Sequence, residues 1–160
     1  MGNSAQVCLR YGPNVRLEPL SVFRWSYEED VRVKAGYTIV SPYDSEEGSA
    51  YGEGRGTATG QIEGTVVWSN YPHRRTDGRM LPNVRGLITT PDGASILVEL
   101  RGRTIFEGDK PGLQNLVGWF ESDHASYRWL NDLVCIAEGL ISATGDMLIN
   151  VYAGIHEMQA

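Results

Sequence analysis

The sequence lacks the features that mark secreted, disulfide-bonded and membrane-spanning proteins. Only two of its 160 residues are cysteines, Cys8 and Cys135. Two isolated cysteines in a chain without a basic and apolar leader predict free thiols in a reducing compartment. No stretch approaches 18 consecutive apolar residues, so no membrane span is expected. We therefore expect a cytoplasmic protein, and a length of 160 residues suits one domain with its own core.

Positive charge is also scarce. The 14 lysines and arginines are outnumbered by 20 aspartates and glutamates, which gives a net charge of −6. Arg74 and Arg75 are adjacent but form no basic stripe, so binding to nucleic acid is not expected. His73, His124 and His156 are far apart and lack the spacing of metal ligands, so no metal site is expected.

Motifs for cofactors and for catalytic nucleophiles are missing as well. Gly52, Gly54 and Gly56 alternate, but no helical pattern follows them, which excludes a dinucleotide-binding fingerprint. The chain has no Gly-x-Ser-x-Gly segment, and neither cysteine lies in a nucleophile motif. No cofactor is therefore expected.

Helical periodicity is absent over any three consecutive turns, whereas alternation of apolar and polar residues is common. Nineteen glycines and seven prolines separate the alternating segments. Short alternating segments joined by turns predict antiparallel all-β structure. The predicted strands cover 15–28, 36–41, 52–69 with a bend or break at Gly60, 83–103 as a hairpin, 113–121, 133–143 and 147–155, with loops at 43–50, 70–79 and 108–112.

The order of these segments predicts a calycin-like antiparallel β-barrel of about eight strands. Closure of the barrel would remove the exposed edges that so many strands otherwise present. A β-sandwich is the alternative fold. A short helical turn is expected near residues 125–131, where apolar residues have helical spacing.

The most informative segment is the hairpin from Asn83 to Arg103, because its turn fixes the pairing of its strands. Pro91 presets the first corner of the turn, and Gly93 can adopt the left-handed conformation that closes it. A three-residue loop pairs Thr90 with Ala94. Counting back gives one face with Ile88 opposite Ile96, Gly86 opposite Val98 and Val84 opposite Leu100, and a second face with Leu87 opposite Leu97, Arg85 opposite Glu99 and Asn83 opposite Arg101.

The second face of this hairpin carries the ion pair of Arg85 with Glu99 beside Arg101. If this face lines the barrel lumen, the arginines can hold a carboxylate or an enolate and Glu99 can move a proton. If it faces water, it is ordinary surface and the aliphatic face forms the core. We predict that Arg85, Glu99 and Arg101 point into the barrel and contact a ligand.

Two further candidates lie in the last two predicted strands. Glu138 alternates with Ile136 and Leu140, and a carboxyl group on an apolar face is a candidate acid or base. A position at the rim, or a pairing with an arginine, is the alternative. Tyr152 shares a face with Asn150 and is either a hydrogen-bond donor in a site or a core tyrosine.

Large aromatic side chains are candidates for the wall of a ligand pocket, together with one asparagine: Trp25, Tyr27, Trp68, Trp119, Trp129 and Asn131. The same aromatic residues would also serve as the core of a filled barrel. The sequence pattern leaves both uses open.

One block of residues is similar to a known family. The stretch Phe120-Glu121-Ser122-Asp123, followed by Tyr127-Arg128-Trp129-Leu130-Asn131 and a final hairpin, resembles the signature of the bacterial domain-of-unknown-function family 3237. The strand Val84-Arg85-Gly86, the Asp92-Gly93 turn and the segment from Gly56 to Gly64 fit the same pattern, so the resemblance covers about residues 50–155. It implies a small β-barrel and adds no defined activity.

Three hypotheses for the function remain open. The first is a cofactor-independent enzyme that acts by proton transfer, as an isomerase, cyclase or lyase, on a small, largely apolar carbonyl or aromatic compound in the lumen. Arg85 and Arg101 would hold the anionic oxygen. Glu99 or Glu138 would be the acid–base group, and Tyr152 a donor. The second is a non-catalytic protein that binds such a molecule, and the third is a structural barrel with a filled lumen that forms oligomers, of which a homodimer is one.

Overall fold

A computed structural model of the chain, which describes residues 15–28, 38–40 and 47–156, consists almost entirely of β-strands. The strands are β1 (Val15–Tyr27), β2 (Thr38–Val40), β3 (Gly48–Ala50), β4 (Gly52–Gly60), β5 (Gly64–Asn70), β6 (His73–Arg74), β7 (Met80–Leu81), β8 (Asn83–Thr89), β9 (Ser95–Ile105), β10 (Gly112–Glu121), β11 (Cys135–Ile141) and β12 (Asp146–His156). A 3₁₀ turn, Arg128–Asp132, lies between β10 and β11. The predicted all-β class is confirmed.

Eight of these strands form a closed antiparallel barrel. Strands β1, β4, β5, β8, β9, β10, β11 and β12 pair in that order, and β12 pairs back onto β1. The closing pair is long, with Val15 opposite His156 and Ser26 opposite Asp146. The predicted barrel is confirmed and the sandwich is excluded, because the eight strands belong to one sheet that returns to its first strand.

The other four strands form a short ribbon beside β9. Met80 of β7 pairs with Thr104, and the ribbon continues through β6 and β3 to β2. Strand β2 lies within the predicted strand 36–41. The loops predicted at 43–50 and 70–79 are wrong in part, because β3 and β6 fall within them. These strands have only two or three residues, which is too short to show alternation.

Left-handed glycines sit at the turns that the sequence predicts. Strand β4 ends at Gly60, whose φ of 124° is strained for residues with a side chain. The chain reverses there, and β5 returns antiparallel with Thr57 opposite Thr65. The segment 52–69 is therefore two strands rather than one bent strand.

Side chains fill the lumen of the barrel. Phe23 and Trp25 stack with ring centroids 4.8 Å apart, and Trp25 stacks on Trp68 at 5.7 Å. Tyr27 meets Trp68 edge-on at 4.6 Å. Buried aliphatic side chains surround this aromatic column, among them Val66, Ile88, Ile96, Val98, Leu100, Ile149 and Val151. An eight-stranded barrel has an interior just wide enough for side chains, and here they occupy it.

The alternating glycines of β4 make room for this column. A Cβ atom on Gly54 would lie 2.1 Å from Cζ2 of Trp68, and one on Gly56 would lie 2.5 Å from Cδ1 of Trp25. Real Cβ atoms do not approach other atoms so closely, so these positions accept only glycine while the indoles stay in place.

One end of the barrel is closed by the 3₁₀ turn, which confirms the helical turn predicted near residues 125–131. Leu130 at its centre is fully buried. Asn131 ties the turn to the end of β10, since its Oδ1 accepts from the Ser122 N–H at 2.9 Å and its Nδ2 donates to the Ser122 carbonyl at 3.1 Å. Across the described ranges, no helix is long and apolar enough to span a membrane.

Candidate functional site

The hairpin of β8 and β9 has the predicted register. The Thr90 N–H donates to the Ala94 carbonyl at 3.0 Å, and the Gly93 N–H donates to the Thr90 carbonyl at 3.0 Å. Gly93 has a φ of 86°. All six predicted cross-strand pairs are present, including Arg85 opposite Glu99. The residues of the turn therefore determine how the two strands align.

The prediction that the charged face points into the lumen is wrong. The side chains of Arg85 and Arg101 are 68% and 50% exposed, and that of Glu99 is 18% exposed. The aliphatic face of the same strands is buried. Burial of aliphatic surface is favourable by about 25 cal/mol per Å², whereas three charges in the lumen would lose their hydration. Both effects turn the charged side chains outward.

On the outer wall, Glu99 lies between two arginines. Its Oε1 accepts from Arg101 Nε at 2.7 Å and lies 2.5 Å from Nη2 of the same residue. Its Oε2 lies 3.5 Å from Arg85 Nε. Because guanidinium groups engage both carboxylate oxygens, the two arginine heads are held close together and the cluster keeps one net positive charge.

An aliphatic row runs beside this charged cluster. Across neighbouring strands, one row contains Ser69, Arg85, Glu99 and Trp119, and the next contains Val67, Leu87 and Leu97. Val67 and Leu97 expose about half of their surface. The two rows are two residues apart along each strand, which is about 6.7 Å. The wall thus offers cations and one indole ring next to an aliphatic strip.

Open depressions follow these two rows and share lining residues. One, of about 230 Å³, lies between Arg85 and Trp119 over Leu97. A second, of about 510 Å³, shares Arg85 and Leu97 and extends over Val67. A third, of about 830 Å³, continues from Leu97 toward Glu121. We call the surface formed by Val67, Arg85, Leu87, Leu97, Glu99, Trp119 and Glu121 the outer groove; Arg101 adjoins it through its ion pair with Glu99.

Glu138 and Tyr152 form a second polar cluster, also on the outer wall, so their expected place in the lumen is wrong. Tyr152 donates its hydroxyl to Glu138 Oε1 at 2.8 Å. This hydrogen bond is the largest cause that raises the pKa of Tyr152 above its ordinary value of 10.0. Cys135, Ala137 and Ile141 are the buried residues of β11, and Ile136, Glu138 and Leu140 alternate with them and face out.

The two polar clusters do not converge on one site. Glu99 pairs across the sheet with Trp119, and Glu138 pairs with Asn115. Trp119 and Asn115 are four residues apart on β10, or about 13 Å. A single centre that uses both carboxylates is therefore excluded by this geometry, and the outer groove is the candidate that combines charge with apolar surface.

The predicted pocket residues do not surround one pocket either. Trp25, Tyr27 and Trp68 are packed in the lumen, whereas Trp119 lies in the outer groove and Trp129 is exposed on the 3₁₀ turn. Asn131 links the 3₁₀ turn to the end of β10 through its hydrogen bonds with Ser122. The indole N–H groups of Trp25 and Trp68 lack an acceptor among the described residues, a cost that burial of two large rings offsets.

Thiol and metal chemistry find no support in the described part of the chain. Cys135 is a buried free thiol, and burial raises its pKa to about 11. A thiol that stays protonated is a poor nucleophile, so Cys135 packs as a small apolar side chain. Cys8 lies outside the described residues. Within residues 15–28 and 47–156, no group of three His, Cys, Asp or Glu side chains could hold a metal ion.

Three aliphatic residues of the outer groove are absent from the predicted site. The predicted register of the hairpin already placed Leu87 and Leu97 on the charged face. The sequence therefore indicated that apolar side chains lie beside the three charges. Val67 reaches the groove through the pairing of β5 with β8. The connection between those strands passes through the ribbon, so no local turn specifies that pairing.

Comparison with known proteins identifies the fold but no family. No protein-family model and no curated protein matches the sequence. A β-barrel-like protein from Acinetobacter baumannii AYE is 18% identical, with a TM-score of 0.71 over 91% of this chain and 99% of its own. A protein of unknown function from Rhodopseudomonas palustris is 15% identical, with a TM-score of 0.74 over 90% and 100%.

A fungal structure shares the same fold. A protein from Penicillium herquei described as an enzyme is 19% identical, with a TM-score of 0.66 over 90% of this chain and 98% of its own. At such identities the similarity demonstrates a common barrel and leaves the activity of this chain to be argued from its own residues.

Proposed function

We propose that the outer groove binds a small anionic molecule with an aromatic or apolar body. The observation that supports this proposal most is the position of Arg85 beside an exposed aliphatic row, with Arg101 held near it by their shared partner Glu99. A carboxylate or enolate oxygen would accept charge-assisted hydrogen bonds from the guanidinium groups. The body of the ligand would cover Leu87 and Leu97, with Trp119 at its edge.

The spacing of the groove agrees with a ligand of this class. The charged row and the aliphatic row are about 6.7 Å apart, so a ligand with an anionic group at one end of a planar apolar body could contact both. The chain carries a net charge of −6, and Glu121 also lines the depression between Arg85 and Trp119, so recognition of an anion would rest on direct hydrogen bonds from the guanidinium groups rather than on a positive field.

The filled lumen supports a site on the outer wall. The aromatic column from Phe23 to Tyr27 occupies the interior, and a ligand would have to displace it. The outer groove needs no such rearrangement, because its side chains are already accessible.

Proton transfer in the same groove is the second candidate, with the chain acting as an isomerase, cyclase or lyase without a cofactor. Glu99 favours it, as a carboxylate next to two cations that would hold an enolate. The fold shared with the Penicillium herquei enzyme also favours it. We further propose membership of family 3237, since the resembling segments include the β8–β9 hairpin.

Isothermal titration calorimetry with indole-3-acetate and its neutral amide tests the proposal. The acid should bind and the amide should bind at least about tenfold more weakly, because a hydrogen bond to a charged group contributes about 1.5–3 kcal/mol. Arg85→Gln should weaken binding of the acid by a similar factor. Arg24→Gln, which removes an exposed arginine on β1, is the matched control and should leave the affinity unchanged.

Equal affinity for the acid and the amide, or an affinity that Arg85→Gln leaves unchanged, would contradict the proposal. Phenylpyruvate separates the two candidates, because its protons beside the carbonyl exchange with deuterated water during enolisation. Exchange that the chain accelerates and that Glu99→Gln abolishes supports the enzyme. Binding without accelerated exchange supports the binding protein.

A further inference from the structure

We propose that two copies of this chain associate through the outer wall of β9–β12. This wall carries three rows of side chains across its strands, as the pairing of β9, β10, β11 and β12 shows. The first row is Ile105, Leu113, Leu140 and Leu148, the second is Arg103, Asn115, Glu138 and Asn150, and the third is Arg101, Val117, Ile136 and Tyr152. We call this surface the three-row face.

The three-row face exposes more apolar surface than an isolated barrel needs. Five of its aliphatic side chains are each between 37% and 48% exposed: Leu113, Val117, Ile136, Leu140 and Leu148. These side chains lie in the first and third rows, on either side of the polar middle row. Burial of the two rows against a second copy would be favoured by the hydrophobic effect.

The three-row face by itself is smaller than a standard interface. Four strands spaced about 4.8 Å apart, over the five residues of about 3.3 Å each that three rows span, cover about 300 Å². Two such faces would bury about 600 Å² in total, below the range of about 1,200–2,000 Å² for stable specific interfaces. The dimer should therefore be weak and reversible, at a concentration that solution measurements can reach.

The middle row carries two opposite charges, neither of which has a counter-charge among the residues that the structure describes. Arg103 has no ion-pair partner among the described residues, and Glu138 accepts only from the Tyr152 hydroxyl, at 2.8 Å. Asn115 of β10 separates the two charges. Both charged residues line one depression of about 630 Å³, so an approaching face would meet both.

A two-fold axis parallel to β10 and passing by Asn115 makes this row complementary to itself. Such an axis reverses the order of the strands, so Arg103 of one copy would lie opposite Glu138 of the other, twice in each dimer. Asn115 would lie opposite its own copy, where the two amides can exchange hydrogen bonds. Isologous interfaces of this kind are the commonest route to homodimers.

The charges also exclude the other arrangement of the two faces. An axis perpendicular to the strands and passing by the same row would preserve the strand order. Glu138 would then oppose Glu138, and Arg103 would oppose Arg103, which is unfavourable for close like charges. Of these two axes, only the one along β10 pairs the opposite charges of the middle row.

Charge reversal tests this arrangement in the full-length chain, with sedimentation equilibrium as the measurement. The wild-type chain should show a reversible dimer. Glu138→Arg and Arg103→Glu, each alone, should raise the dissociation constant at least about 100-fold, because each opposes like charges. The double variant with both changes should recover the dimer, and an equimolar mixture of the two single variants should form a heterodimer.

Two controls separate the charge effect from damage to the fold. Arg24→Glu and Glu63→Arg each reverse an exposed charge outside the three-row face, and both should leave the dimer intact. Melting temperatures of all variants report folding. A monomeric wild-type chain, a dimer that resists both single reversals, or folded single variants that the double variant fails to rescue would overturn the proposal.

Discussion

Glu99 organises the cations of the outer groove and is the least exposed member of their cluster. It lies 2.7 Å from Arg101 Nε and 3.5 Å from Arg85 Nε. Exposed ion pairs add only about 0–1 kcal/mol to stability. The cluster therefore contributes little to the stability of the barrel, and its proposed role is to orient two guanidinium groups toward a ligand.

Two residues on opposite faces of β8 should differ strongly in their effect on stability. Arg85→Gln should change the free energy of unfolding by less than about 1 kcal/mol, because the side chain is exposed. Ile88→Ala should lower it by about 2–5 kcal/mol, because Ile88 is fully buried and its loss leaves a cavity. Urea denaturation measures both, and a larger loss for Arg85→Gln would place that face inside.

The β8–β9 hairpin also makes contacts at the end of the barrel, where its turn meets the 3₁₀ turn. Tyr127 donates its hydroxyl to Asp92, 3.3 Å from Oδ1 and 3.4 Å from Oδ2. The Thr90 hydroxyl donates to the same carboxylate. The Thr90 bond is the largest cause that holds the pKa of Asp92 below its ordinary value of 3.8, and the Tyr127 bond adds to it.

The stabilisation by Asp92 should disappear in acid. Because the pKa is lower in the folded chain, the carboxylate stabilises the fold above pH 3.8, and this contribution declines as the pH falls through the lower, folded value. Urea unfolding of the wild type and of Asp92→Asn should differ most at about pH 5 and least at about pH 2.5.

Tyr127→Phe is the matched control for that experiment. It removes one of the hydrogen bonds that lower the pKa of Asp92 and keeps the carboxylate, so the pH-dependent part should become smaller but persist. A difference between wild type and Asp92→Asn that stays constant or grows in acid would contradict the assigned bonds.

The sequence predicted the pairing of this hairpin but misassigned its faces, and the physics of the two properties differs. Register depends on local chemistry, namely the left-handed Gly93 and the loop that it closes. Which face of the hairpin is buried depends on the side chains that the neighbouring strands β5 and β10 contribute on either side of it. With Leu87 and Leu97 on the charged face, the two faces differ less in apolar content than usual, so the alternation alone did not decide which one is buried.

For the whole molecule, alternation and turns were enough to predict a closed barrel of about eight strands, whereas the filling of its lumen was not predictable. The packing of the lumen depends on contacts between residues that are far apart in the chain, such as Gly54 with Trp68 and Gly56 with Trp25. These glycines are 12 or more residues from their indoles in the chain. Because the lumen is a packed core, ligand chemistry is expected on the outer wall.

The four tryptophan indole N–H groups report most directly on whether the lumen or the outer groove receives a ligand. Trp25 and Trp68 lie in the lumen, Trp119 in the outer groove and Trp129 on the 3₁₀ turn. In ¹H–¹⁵N spectra titrated with indole-3-acetate, the signal of Trp119 should move, while those of Trp25 and Trp68 should stay fixed and exchange slowly with deuterium because they are buried. Movement of the Trp25 and Trp68 signals with Trp119 unaffected would contradict the account, because it would put the ligand inside the barrel.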